Sequence, residues 1–509
     1  MDNRPFDNVA VRLRAGRLAL SSVLPPFRSA YWKDAEVLKS ELGLTGVALG
    51  SLGTSRAAQE RFLERLAART AEGAAFRPES IGYGARAGQV IALEEFRSGY
   101  RLVKLLGKSS REVVLGALEA VCGQVATRGR IEVHFRQWDE AGAGFDGLEA
   151  AASVVAFLRG AGRYGAPVIL FSDLRGVVAE LWRFVYDRPL LRLAWVASEL
   201  VTCAGPDEFE GLRRSSAALK NLREISDGGL WPHVVLPVSS ANVSALPWIV
   251  AGLLELTRGG SIDIVPACLL PGLHIEVRPP EPAAYAQALL ELYADPVTPL
   301  RRISPLSWVA ARMDSQSPLP CSPATAGAEV AVLPDGELYA SEFGVGVERW
   351  RIGNVLKESE SLRWERLDAT PEIFSYPGHV ARCRGCDWRF RCGGLHAAVF
   401  VLEAQHQARP AYSGEPKPRP PDRQADGGQA PPRHLGAAAS AAAASPPQNG
   451  RCDGASNLLA ELYCEPRRRL FEEMLWSKME AVTGQPRRGR ERLELSGQGV
   501  GYVPVAHPA

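Results

Sequence analysis

The chain has no apolar run long enough to cross a bilayer. A spanning helix needs about 20 predominantly apolar residues, and the longest candidate, Ala245 to Leu256, is too short. The start, Met1-Asp2-Asn3-Arg4-Pro5-Phe6, lacks a basic stretch followed by an apolar one, so no secretory signal is expected. An excess of charge is missing as well: Lys plus Arg number 59 and Asp plus Glu 57, a net charge of +2. Bulk charge therefore offers nothing to nucleic acid or to a membrane surface. The glycine-rich stretch Gly82-Tyr83-Gly84-Ala85-Arg86-Ala87-Gly88 lacks the strand-to-helix context of a phosphate loop. No Ser-His-Asp set can be assigned. The expectation from these absences is a cytoplasmic protein with no nucleic-acid and no membrane partner.

What is present is length and an ordinary globular composition. At 509 residues, 46% hydrophobic and 23% charged, the chain can bury the cores of two or more domains. Nine cysteines occur, five of them from Cys383 onward. In a large chain with no secretory signal, clustered cysteines favour metal over disulfides. Cys122, Cys203 and Cys268 stand singly in apolar surroundings and read as small buried hydrophobes. The cluster is different. Cys383-Arg384-Gly385-Cys386 is followed by Cys392 at C-x2-C-x5-C spacing, and Cys464 lies downstream. Two thiolates on a tight bend, a third close by and a fourth returning from afar can wrap a metal ion or an iron–sulfur cluster. Four thiolates also make a tetrahedral zinc site. Cys452 competes with Cys464 as the fourth ligand.

Periodicity predicts an α/β fold. Helices are expected over 111–125, 147–158, 177–185, 208–225 and 244–256. Strands are expected over 131–135, 166–171, 191–196, 233–238 and 262–265. Repeated strand–helix units imply a parallel sheet, open or curled into a full or partial barrel. Before them, 9–20 reads as a strand pair and 55–71 as an amphipathic helix. Residues 300–400 read as short strands and turns around Pro334-Asp335-Gly336. Residues 408–450 are rich in Pro, Ala, Gly and Ser and are expected to be a disordered insertion. A final helix over 456–481 is expected to break near Pro466. His134 lies on a predicted strand near Asp139 and Glu140; a structural role and a general base are both open. The basic clusters Arg467 to Arg469 and Arg487 to Arg490 read as solvated faces. Trp388 shields a cluster from water or belongs to the core.

The order of landmarks from Cys321 to Cys464 resembles the SPASM domain of radical SAM peptide-modifying enzymes. That pattern runs from a cysteine through a Pro-Asp-Gly turn and a second cysteine to a Leu-Gly-Asn-Val segment. C-x2-C-x5-C-x3-C and a last cysteine then follow. Here Cys321, Pro334-Asp335-Gly336, Arg351-Ile352-Gly353-Asn354-Val355, Cys383, Cys386, Cys392 and Cys464 stand in that order. Ser341 and His396 replace the other two cysteines. In the family those two positions, with the first cysteine, serve the first auxiliary cluster. Both replacements spare the second cluster, so the resemblance implies one [4Fe-4S] cluster on Cys383, Cys386, Cys392 and Cys464. Zinc is the alternative. Whether Cys321, Ser341 and His396 form a second, mixed-ligand site or only pack stays open.

The family's catalytic triplet, C-x3-C-x2-C, occurs nowhere in the chain. Arg136-Gln137-Trp138-Asp139-Glu140 stands where a Gly-Gly-Glu-Pro motif is expected. The fold class implied is α/β: a degenerate radical-SAM-like partial (β/α) barrel followed by a small SPASM-like cysteine-rich domain. The expected division is 1–110, of unclear fold; 111–300, the degenerate barrel; 321–407, the SPASM-like domain; 408–450, the insertion; and 451–509, the completion of that domain and a tail. No S-adenosylmethionine cleavage is expected. The role implied is accessory, with a precursor peptide, an active radical SAM maturase, or both as partners. An enzyme with unrecognised chemistry in the barrel or at the retained cluster and a zinc-stabilised interaction module are the alternatives.

Overall fold

The computed structural model describes residues 9–14, 17–22, 30–32, 35–44, 51–52, 55–71, 80–81, 100–107, 109–125, 129–136, 146–163, 166–172, 174, 185, 188, 190–270, 277–314, 328–358, 361–367, 386, 388, 392 and 457–482. The expected helix over 177–185 lies outside these residues, except Val185, as does the whole 408–450 insertion.

The N-terminal part is a small antiparallel sheet with two helices. Strands β1 (Val9–Arg14) and β2 (Arg17–Ser22) pair in register from Val9↔Ser22 to Arg14↔Arg17. This is the expected strand pair. Strand β3 (Ala30–Trp32), helices α1 (Ala35–Glu41) and α2 (Arg56–Ala71), and strand β4 (Ser80–Ile81) complete it, in the sheet order β1-β2-β3-β4. Leu18 and Leu20 from β2 bury against Leu38, Phe62 and Leu63 from the helices.

The main body is a ten-stranded sheet. Its parallel series begins with β5 (Tyr100–Leu106), before the first expected helix. There follow α3 (Arg111–Cys122), β6 (Arg130–Arg136), α4 (Asp146–Gly160), β7 (Val168–Ser172) and β8 (Leu191–Val196). Next come α5 (Pro206–Ser215), α6 (Ala217–Asp227), β9 (His233–Val238), α7 (Leu246–Thr257) and β10 (Ser261–Pro266). Helix α8 (Pro282–Ala294), β11 (Ile303–Ser304) and α9 (Leu306–Asp314) close the series. The helix expected over 208–225 is two helices. Ser216 ends the first in an extended conformation and caps the second, its hydroxyl accepting from Leu219 N at 3.1 Å. An Ncap hydroxyl satisfies one of the amides a new helix leaves open.

Strands β12 (Glu329–Val332), β13 (Glu337–Tyr339) and β14 (Arg351–Asn354) extend the sheet beyond β5. Strand β12 joins β5 in parallel, and β13 and β14 follow antiparallel. The turn between β12 and β13 is the Pro334-Asp335-Gly336 landmark. Gly336 takes φ +87°, which the turn needs and a side chain resists. Among the described residues the sheet order is linear from β11 to β14, so the sheet does not close into a full barrel. Helix α10 (Asn457–Val482) runs unbroken with Pro466 inside it, against the expected interruption. Its Leu470, Phe471, Met474, Leu475 and Trp476 are buried in the same core as Tyr285, Leu289 and Leu292 of α8. That burial holds the helix together where proline removes a backbone bond.

Candidate functional site

Strand side chains alternate between two faces. On the parallel strands Val103, Leu105, Ile131, Val133, Val168, Leu170, Leu193, Val234, Leu236 and Ile262 pack under the helices. The opposite, inner face has two halves. One registered row reads Ala331, Lys104, His134, Ile169 across β12, β5, β6 and β7. The change from charged to apolar falls between β6 and β7.

The polar half is a buried network. Lys104 on β5 pairs with Glu329 at 3.1 Å and donates to Glu342 at 2.6 Å. Glu329 Oε1 also accepts from Ser341 Oγ at 3.0 Å and from Glu342 N at 2.9 Å. On β6, His134 Nε2 donates to Glu132 at 2.8 Å, while Tyr100 and Arg130 both donate to the other Glu132 oxygen at 3.4 Å. Arg136 stands 3.7 Å from Glu342, with its guanidinium 4.3 Å above the Phe171 ring. Burial favours the neutral imidazole and lowers the His134 pKa, although Glu132 opposes it. Burial pushes the Glu342 carboxyl up, but Lys104 and Arg136 overcome this and hold it below the ordinary carboxylate value. The Glu132 carboxylate fixes the imidazole with Nδ1 as acceptor. Among the described residues, His134 Nδ1 is buried with no hydrogen-bond partner.

Ser341, which stands at a cluster-ligand position in the sequence pattern, is fully buried as a donor to Glu329. Cys321, His396 and the expected neighbours Asp139 and Glu140 lie outside the described residues. Sequence reasoning singled out Ser341 but missed Lys104, Glu329 and Glu342. The available signal was Glu342 directly after Ser341.

The apolar half carries the cysteines. Ile169, Phe171, Ala194, Val235 and Val265 of the sheet pack with Cys268, Leu269 and Leu270 and with Leu462 and Tyr463 of α10. Cys392 and Cys464 both pack against this cluster. Cys386 and Cys392 pack against the larger core. Cys392 N donates to Trp388 O at 2.7 Å. The Trp388 ring is buried and stacks on Phe471 of α10, centroids 5.3 Å apart and planes at 12°. Trp388 is therefore core, and it fastens the Cys386–Cys392 segment to the helix that bears Cys464. Arg12 of β1 lies over the other partner of this stack, 5.1 Å from the Trp388 ring. Arg467, expected in solvent, is buried with its guanidinium 3.4 Å from the Tyr463 ring centroid. Burial pushes the Cys268 thiol up to about 12, which makes it an inert packing group. Cys383 and Cys452 lie outside the described residues. Among the described residues, no three His, Cys, Asp or Glu side chains are gathered closely enough to hold a single metal ion.

The turn after β5 is short. Gly107 to Ser110 contains no cysteine. Ser110 Oγ accepts from Val113 N and starts α3 at once. Gly107, at φ +76°, lies against Pro334 of the β12–β13 turn, where a Cβ would stand 3.3 Å from the proline ring.

No family's sequence pattern matches the chain, and no curated protein matches it in sequence. Among solved structures the chain is similar to Streptococcus suis SuiB bound to S-adenosylmethionine, with 10% identity and a TM-score of 0.40. It is similar to SuiB alone at 10% identity and 0.39, and to SuiB bound to the precursor peptide SuiA at 9% and 0.40. Each comparison covers 77% of this chain and 95% of the other. No helix among the described residues is long and apolar enough to cross a membrane.

Proposed function

We propose that this chain is an accessory, partner-binding component of ribosomal peptide modification, built on a catalytically degenerate partial barrel and holding one [4Fe-4S] cluster. Cys383, Cys386, Cys392 and Cys464 would hold the cluster. The observation that carries the proposal is the packing of Cys392 and Cys464, distant in sequence, against one inner-face cluster. The donor set fits the group: soft thiolates in an apolar surround suit iron–sulfur ligation. A cluster, whose thiolates each bind a different iron, also asks for wider ligand spacing than a lone zinc ion does. When bound, the cluster supplies one-electron transfer and a crosslink between the cysteine segment and α10. The rest of the role belongs to the chain itself. Trp388 and Phe471 exclude water from that side, and the thiol-free turn after β5 leaves no open iron for S-adenosylmethionine. A precursor peptide, or an active maturase, is the partner that the SPASM-like pattern implies.

Protein purified without oxygen is expected to carry about four irons and four sulfides per chain. Cys464→Ser is expected to lose most of that iron, and Cys452→Ser to keep it. Stoichiometric zinc without sulfide would replace this reading with the interaction module. No 5′-deoxyadenosine is expected from S-adenosylmethionine under strong reductant. Product that vanishes with Cys383→Ala would make the retained cluster catalytic and remove the accessory role.

A further inference from the structure

The polar half of the inner face has an unfilled hydrogen-bonding capacity. Glu132 accepts from His134, Tyr100 and Arg130. Glu329 accepts from Ser341 and the Glu342 amide and pairs with Lys104. Two capacities are left over. Among the described residues His134 Nδ1 is a lone-pair acceptor without a partner, on a side chain only 3% exposed. Lys104 has three N–H donors and two partners, Glu329 and Glu342. The two residues are register partners on adjacent parallel strands, whose backbones run about 4.8 Å apart, and both side chains lie on the inner face. A buried acceptor left without a donor costs about 1–3 kcal/mol, so this spot favours a group that both gives and takes a hydrogen bond.

Among the described residues the charge around it balances. Lys104, Arg130 and Arg136 face Glu132, Glu329 and Glu342. A carboxylate, a phosphate or a metal cation would arrive unmatched, and an unmatched buried charge is costly. The missing group is therefore neutral. A primary carboxamide presents one N–H and one C=O on the same edge, which matches an acceptor beside a donor. The place also fits: both residues lie toward the C-terminal ends of parallel strands, where barrel and open α/β folds bind their ligands. Arg136, 11% exposed, lies over the Phe171 ring, which is itself 5.5 Å from the His134 ring.

We propose that Lys104 and His134 form a binding site for a neutral carboxamide, the side chain of a glutamine or asparagine in a peptide. The site uses none of the cysteines, so iron content and amide binding can fail separately. The test uses the full chain labelled with 15N at its eight histidines. N-acetyl-glutamine N-methylamide is expected to shift one histidine Nδ1 resonance saturably, and that resonance is expected to be missing in His134→Phe. The glutamate analogue at pH 7 is expected to bind at least tenfold more weakly. His134→Asn, whose amide oxygen can stand near the Nδ1 position, is expected to retain binding that His134→Phe loses. If the variants do not fold, the wild-type titration decides alone. No shift at His134 with the glutamine probe would mean that an ordered water satisfies the site and would overturn the proposal. Equal binding of the glutamate probe, or tighter binding of N-acetyl-serine N-methylamide, would overturn the carboxamide assignment.

Discussion

The two halves of the inner face are built from neighbouring strands of one sheet but are held by different forces. On β5, β6 and β12, Lys104, Glu132, Glu329 and Glu342 are buried as charges and hydrogen-bonded pairs. On β7 to β10, Ile169, Phe171, Val235 and Val265 meet Leu462 and Tyr463 by apolar contact. The polar half is specified by complementarity: each group needs its own partner, and loss of one leaves another uncompensated. The apolar half is specified by volume and tolerates change in proportion to what is removed. A metal centre on the apolar side and a ligand site on the polar side would therefore respond differently to the same perturbation.

The largest expected effect is on the polar side. Lys104→Met leaves Glu329 and Glu342 buried without their ammonium and is expected to cost about 3–5 kcal/mol, read by denaturant melts. A cost below about 1 kcal/mol would mean that the network adds little stability, and the contrast between the halves would collapse. Leu462→Ala tests the other side. A fully buried leucine cut to alanine is expected to cost about 2–4 kcal/mol, and iron binding to the cysteines is expected to recover part of it.

A third test separates the halves by pH. The folded His134 has a pKa below its ordinary 6.5, so the native state binds fewer protons than the unfolded one. Its contribution is complete above pH 6.5 and is lost as pH falls through that value toward the folded pKa. The slope is at most about 1.4 kcal/mol per pH unit for one group. The charged and titratable groups acting on it are Glu132, Arg136 and Lys104. Glu342, with a folded pKa below 4.5, adds a second loss under more acid conditions. His134→Gln is expected to flatten the melt-derived slope between pH 7 and 5. An unchanged slope would assign it to another group. The smallest effect is expected at the junction with the N-terminal sheet. Arg12 pairs with a half-exposed Glu472 at 3.8 Å and lies over Trp388. Arg12→Ala is expected to cost about 0.5–1 kcal/mol, measured in the same melts; a loss like that of Lys104→Met would make this junction part of the core.

The strand–helix series from β6 to β10 was legible because its outward side chains repeat cleanly and its helices have ordinary lengths. The buried network was not. Arg130-Ile131-Glu132-Val133-His134-Phe135-Arg136 alternates perfectly, and alternation normally marks a strand with one face in water. Here Arg130 and His134 meet Glu132 on the strand itself and Arg136 meets Glu342 from a distant segment, a closure that no local pattern can announce. Arg467 misled in the same way, since a run of arginines suggests solvent until an aromatic ring is found beneath one of them. Pro466 suggested a break because local chemistry favours one, and packing of the following turns overrides it. Among the cysteines, spacing singled out Cys383, Cys386 and Cys392, while the joint packing of Cys392 and Cys464 needed the fold.

The Lys104–Glu342 bond joins residues 238 positions apart. On a ribosome adding about 5–20 residues per second, β5 emerges roughly ten to fifty seconds before its second neighbour exists. During that interval its open edge is a template for any passing strand. A lysine in the middle of that edge keeps it hydrated and repels another copy of itself. The residue that locks the finished sheet is thus also a guard on the nascent one.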